Sequence, residues 1–240
     1  MMLEARDIHL ADRLQGITCV LKPGAITAIC GPNGAGKSSL LQALAGLLRP
    51  DCGEARLDGV PLARHPERAR RVGYLPQAPE IAWDVTVRSL VALGRIPHRD
   101  AATAPVDAAL AALDLEAFAG RRAQTLSGGE QARVLLARVL AGEPDWILAD
   151  EPLAALDLAH QHALVGHLRQ AADRGRGVVV VLHDLAMAMN HADRVLVLDR
   201  GRLVADDPPA QALTSARIAA VWGVQTRWLG EDGRWALAGA

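Results

Sequence analysis

The chain has 240 residues, half of them apolar and 22% charged with a net charge of -1, which on the usual scale of roughly 100 to 200 residues per domain is one large domain or two small ones. That composition excludes a disordered chain and a strongly basic nucleic-acid binder, so no nucleic-acid partner is expected. Cys19, Cys30 and Cys52 make an odd cysteine count without CxxC spacing, which argues against a disulfide framework or a zinc site and for a reducing cytosol.

In chain order, apolar and polar residues alternate around Leu3, Ile8 and Leu10, then over Ile17 to Leu21 and Ala25 to Cys30, as short strands do. Lys22-Pro23-Gly24 is a turn between two of them. The apolar run Ile26 to Cys30 enters Gly31-Pro32-Asn33-Gly34-Ala35-Gly36-Lys37-Ser38, after which Leu40, Leu41, Leu44 and Leu47 recur at helical spacing. The order is strand, glycine loop, helix. From about Pro79 to Gly142 the chain turns Ala-rich, with Leu and Ala at spacings of three and four in Val85 to Leu93, Val106 to Leu113 and Gln131 to Leu140, so a helical insertion is predicted. Strands return at Trp146 to Ala149, Val178 to Leu182 and Val195 to Leu198, separated by helical stretches at Leu158 to Ala172 and Leu185 to His191. Strands alternating with helices predict a parallel sheet. Arg227 to Leu229 and Trp235 to Leu237, split by Gly230-Glu231-Asp232-Gly233, predict a closing hairpin. No basic leader with an apolar stretch opens the chain. Val178 to Leu182, its longest aliphatic run, falls far short of the roughly 20 residues that span a bilayer. Work at a membrane would need a partner as anchor.

Gly31 to Ser38 fits G-x-x-x-x-G-K-[ST] in the strand-to-helix context that this motif requires. Glycines let backbone N–H groups converge on phosphate oxygens, and the helix adds the positive end of its dipole. Lys37 would reach the β- and γ-phosphates, and Ser38 would ligate Mg2+; Lys37 is one of only two lysines, the other 24 of the 26 basic residues being arginine. A phosphate cradle needs a further metal-binding carboxylate and a group that activates water. Asp150 and Glu151, ending the apolar strand Trp146 to Ala149, supply both, at the strand end where ligands collect in open α/β sheets. Leu126-Ser127-Gly128-Gly129-Glu130 opens an Arg-bearing helix and forms a second helix N-terminus suited to an anion, although by itself it is also an ordinary cap.

Taken together, these segments resemble the nucleotide-binding subunit of ABC transporters, over essentially the whole chain. The resemblance implies a fold: a RecA-like parallel sheet core with an antiparallel strand layer (about residues 1–78 and 143–240), interrupted by a helical subdomain (about 79–142), in one ABC-type P-loop NTPase domain. It makes Gly31 to Ser38, with Ser39 adjoining, the Walker A loop for ATP. Trp146 to Asp150 becomes the Walker B strand, with Asp150 on Mg2+ and Glu151 as catalytic base, and Leu126 to Glu130 becomes the signature motif that meets the ATP of a partner subunit. Gln77 in Tyr74-Leu75-Pro76-Gln77 matches the Q-loop glutamine that touches Mg2+ and the attacking water. His183 in Leu182-His183-Asp184 matches the switch histidine, and Asp157 in Ala154-Ala155-Leu156-Asp157 matches the D-loop. As single residues, Gln77 reads equally as a solvated loop position and His183 as structural. Two features depart from the family pattern. No aromatic lies in Leu3 to Leu21 to stack on adenine, which leaves Arg13, and more weakly His9, as replacement, and Ala154 stands where serine is common. His160, His162 and His167 share one predicted helix without i, i+4 spacing and read as a solvated face rather than a metal site.

The resemblance further implies a head-to-tail homodimer on ATP and a transmembrane permease docked around Gln77 to Arg99, with Trp83 as contact. A solute-binding protein would act upstream, and the chain would sit peripherally on the cytoplasmic face of the cell membrane. Gly94-Arg95-Ile96-Pro97 and Leu156-Asp157-Leu158-Ala159-His160-Gln161 are similar to importers of iron siderophores, haem and cobalamin. The runner-up is a soluble ABC ATPase of iron-sulphur cluster assembly or a subunit for another cargo. Roughly ninety residues between Lys37 and Ser127 leave no room for the long coiled coil of the DNA-repair type.

Overall fold

The apolar runs Ile26–Cys30, Trp146–Asp150 and Gly177–Val181 are buried at every position, a state open only to strands of a sheet covered on both faces. The computed structural model describes residues 1–77, 81, 84–154, 156–231 and 233–239. In chain order the elements are β1 (Leu3–Leu10), β2 (Leu14–Leu21), β3 (Ile26–Cys30), α1 (Lys37–Leu44), β4 (Cys52–Leu57), β5 (Val60–Pro61), α2 (Arg68–Arg71) and β6 (Val72–Leu75). Next come α3 (Val87–Ala92), α4 (Ala104–Ala112), α5 (Gly128–Ala141), β7 (Trp146–Asp150), α6 (Leu158–Asp173), β8 (Gly177–Val181) and α7 (Leu185–His191). The chain closes with β9 (Arg194–Asp199), β10 (Arg202–Asp207), α8 (Pro209–Ala212), α9 (Ser215–Trp222), β11 (Thr226–Leu229) and β12 (Ala236–Gly239).

The central sheet runs β10-β9-β3-β8-β7-β6, parallel except for β10. Side chains of a strand alternate between faces, and the core divides accordingly. Ile26, Ala28, Cys30, Ile147, Ala149, Val178 and Val180 pack with α3 to α7, whereas Ile29, Trp146, Leu148, Val179 and Val181 pack with α1 and an antiparallel sheet ordered β2-β1-β4-β5. Helices α3, α4 and α5 lie between β6 and β7 in the chain and share the first of these cores.

Several boundaries differ from the sequence reading. Helix α1 ends at Leu44, and Leu47 is 60% exposed, because the chain turns at Ala45 and Gly46, whose N–H groups bond back to Leu41 and Ala43. Thr86 caps α3 by accepting from Ser89 N–H, which delays the helix past Val85. Beyond Ala92 the chain tightens into a 3-10 stretch, Leu93–His98, that contains Gly94 and Pro97. The closing hairpin forms, but Trp235 stands outside β12 because both its backbone groups pair with the Asn190 side chain, at 2.7 and 2.8 Å. The Trp228 indole donates to the Leu213 carbonyl at 2.7 Å and fastens the other strand of the hairpin.

Candidate functional site

Strands β6, β7, β8 and β3 are parallel neighbours, so their carboxyl ends share one edge of the sheet. Gln77 lies two residues past β6, Asp150–Glu151 end β7, His183 lies two past β8, and the glycine loop follows β3. Topology alone brings four distant segments to one rim.

The loop is shaped by close backbone approach. Gly36, at φ 96, caps α1, and a Cβ there would lie 2.5 Å from the Arg13 carbonyl oxygen and 2.8 Å from Leu14. Lys37 opens α1 and is 5% exposed; its ammonium donates to the carbonyls of Gly31 at 2.9 Å and Pro32 at 3.0 Å. Burial pushes the Lys37 pKa down, against the pull of the Glu151 and Asp150 carboxylates. The Ser38 hydroxyl donates to Asp150 Oδ1 at 3.0 Å, and Ser39 beside it is buried. Burial raises the pKa of Asp150, which is 3% exposed, while the Ser38 hydrogen bond opposes the shift. The Tyr74 hydroxyl reaches Asp150 Oδ2 at 3.4 Å. In the sequence Tyr74 is only a neighbour of Gln77; its approach to Asp150 depends on β6 pairing with β7, which no local signal carries.

Glu151 adopts φ 48, a left-handed conformation that non-glycine residues take at a cost and that clusters at functional sites. Its carboxylate accepts from two partners, His183 Nε2 at 2.5 Å and Gln77 Nε2. The three residues selected as catalytic therefore meet on one carboxylate.

Ser127 and Glu130 cap α5 reciprocally. Ser127 Oγ accepts from the Glu130 N–H at 3.4 Å, and the Glu130 carboxylate accepts from Ser127 N–H at 2.7 Å and Oγ at 2.9 Å. These bonds hold the Glu130 pKa below the ordinary carboxylate range. Leu126 is buried beneath the turn, while Gly128 lines a cleft of about 240 Å³ with Gln77, Gln131 and Glu151. Among the described residues no hydrogen bond joins Leu126–Glu130 to the Gly31–Ser39 loop. Asp157 caps α6 and is exposed. Arg13 is exposed, with its backbone carbonyl against Gly36 of the loop, whereas His9 is tied to Asp7 Oδ1 at 3.0 Å. Trp83 and Ala155 lie outside the described residues.

The three helical histidines do not form one solvated face. His162 is exposed and edge-on to His191, His167 lines a small cavity where burial pushes its pKa down, and His160 packs against Gly129. Arg95, 7% exposed, donates to Asp100, Glu143 and the Ala141 carbonyl, and His98 Nε2 donates to the Gly142 carbonyl at 2.8 Å. The Gly94-Arg95-Ile96-Pro97 segment thus closes the carboxyl end of α5.

A family model described as ABC transporter matches residues 14–154. The hemin import ATP-binding protein HmuV of Pseudomonas entomophila is 46% identical over 237 residues, 93% of each chain, and that of Myxococcus xanthus is 42% identical over 254 residues, 97% of this chain and 95% of the relative. A solved inward-facing transporter described as of metal-chelate type superposes with a TM-score of 0.84 at 26% identity, over 98% of this chain and 95% of that one. The glycine loop at the end of β3, the acidic end of β7 and these likenesses agree: the chain belongs to the ABC transporter family, as one of its ATP-binding, ATP-hydrolysing subunits.

Proposed function

We propose that the chain energises import of a haem-type metal chelate by hydrolysing ATP as one of two copies bound to a separate transmembrane permease. The observation that carries the chemistry is the Glu151 carboxylate shared between Gln77 and His183. Glu151 is the base that polarises the attacking water, Gln77 orients that water, and His183 sits at the γ-phosphate. Gly31 to Ser39 cradle the phosphates with Lys37, and Arg13 stacks on adenine. Ser38, Asp150 and Gln77 present oxygen donors, a chemistry suited to Mg2+, which when bound neutralises charge on the phosphates. A second copy supplies its signature motif, Leu126 to Glu130, and its D-loop Asp157 across the interface.

The cargo reading rests on the relatives' names, which specify hemin import at 46% and 42% identity, and on the metal-chelate likeness. No helix among the described residues is long and apolar enough to cross a membrane, so the permease, docked around Gln77 to Arg99, would hold the chain peripherally at the cytoplasmic face. A solute-binding protein delivers cargo on the opposite side. A deletion strain should lose uptake of labelled haem and regain it with the wild-type chain but not with Glu151→Gln. Unchanged haem uptake alongside loss of siderophore, cobalamin or another cargo would move the chain to another branch.

A further inference from the structure

In the structure the Asp157 carboxylate accepts from the His160 backbone N–H at 2.9 Å and from the ring Nδ1 at 2.6 Å. That pairing places the ring proton on Nδ1 and leaves the opposite edge of the imidazole against the signature turn. A Cβ built on Gly129 would collide with ring atoms Cδ2 and Cγ and lie 2.7 Å from Nε2. A Cβ on Gly128 would meet nothing within 4 Å, and neither glycine has a positive φ. The adjacent glycines are therefore glycine for different reasons. Gly128 faces open space available to a ligand, whereas at Gly129 the His160 ring occupies the place of a side chain. The ring is 33% exposed, held on one side by Asp157 and on the other by the Gly129 backbone.

We propose that His160 is a positioning residue that locks the signature turn Ser127–Glu130 to the Asp157 D-loop within one subunit. This inference rests on the two-copy reading above. Both segments face the second copy in that arrangement, and a ring wedged between them fixes their spacing, so closure of the signature on the partner's ATP carries the D-loop along. Interaction energies between residues in such contact run about 0.5–3 kcal/mol, which at about 1.4 kcal/mol per decade is roughly 2- to 140-fold in rate.

The test uses the full chain with ATP and Mg2+, reading kcat, KM for ATP and ATP-driven dimerisation in the Glu151→Gln background. His160→Ala should lower kcat about tenfold, with KM within about twofold, because the nucleotide loop of the same subunit is untouched. His160→Asn, whose amide can still bond Asp157 but cannot reach Gly129, should recover less than half of the loss. Gly129→Ala should cost at least about fivefold less in the His160→Asn background than in wild type, since the colliding ring is gone, whereas Gly128→Ala should cost the same in both. Wild-type kcat and dimerisation in both His160 variants, or equal Gly129→Ala costs in the two backgrounds, would overturn the lock and leave the two-copy reading standing. Wild-type protein that hydrolyses ATP rapidly without dimerising overturns both. If His160→Ala fails a thermal-unfolding check, the His160→Asn comparison decides alone.

Discussion

Replacing Glu151 with glutamine removes one negative charge at the point where Gln77 and His183 converge and leaves the shape of the side chain intact. The new amide keeps one carbonyl oxygen as acceptor, and the other partner is accommodated by an amide flip of Gln77 or a tautomer change of His183, so the network survives as neutral hydrogen bonds. Charge-assisted bonds exceed neutral ones by about 1 kcal/mol, and with His183 nearly half exposed solvent screens part of that difference. With two such bonds weakened, the expected Tm change is at most about 4–8 °C for a chain of this size. The positive φ of Glu151 is neutral in the comparison, since glutamate and glutamine both carry a Cβ. Catalysis should respond on another scale. Loss of a general base costs about 10²- to 10⁴-fold in turnover, or about 2.7–5.4 kcal/mol of barrier. Phosphate release at saturating ATP and Mg2+, read beside sedimentation of the ATP-bound protein, should show turnover at or below about 1% of wild type while ATP-bound dimers accumulate. Folded Glu151→Gln protein turning over within about fivefold of wild type would refute the assignment of the base, because an effect that small lies below the range for general-base loss.

Three further outcomes follow from the geometry. Asp150→Asn should stabilise the protein without nucleotide while abolishing hydrolysis. Burial raises the Asp150 pKa, so this carboxyl favours folding below its unfolded pKa and opposes it increasingly as pH rises through the folded value. Thermal unfolding should accordingly show the variant above wild type at pH 7, with the gap closing toward acid pH, and a variant less stable at pH 7 would contradict this reading. Gly36→Ala should lower stability by ~2 kcal/mol from the disallowed backbone and the Arg13 carbonyl contact, and should raise the Kd for ATP measured by calorimetry. Lys37→Ala and Ser127→Arg, each inactive alone, should regain partial ATPase when mixed, because a mixed dimer unites one intact loop with one intact signature turn. Complete silence of the mixture, with heterodimers present by native mass spectrometry, would mean that both sites must be intact.

The glycine loop was legible from the chain because its pattern is local: eight consecutive residues, Gly31 to Ser38, contain the turn, the lysine and the hydroxyl, and the strand before them is apolar but for Thr27. The acidic end of β7 and the strand–helix alternation were legible for the same reason, since fully buried parallel strands write continuous apolar runs. Strands β4 and β10, with sequences CGEARL and RLVADD, left no such mark, because strands exposed along one face carry charge and glycine like any loop. Resemblance rather than pattern singled out Gln77 and His183, each an ordinary residue in its own neighbourhood. Tertiary structure alone decided that they meet on Glu151, since that depends on β6, β7 and β8 lying side by side in parallel, an order no local spacing encodes. Tertiary structure likewise moved His160 from a supposed solvated face to the back of Gly129, because the reason for a glycine can be a ring that arrives from another helix.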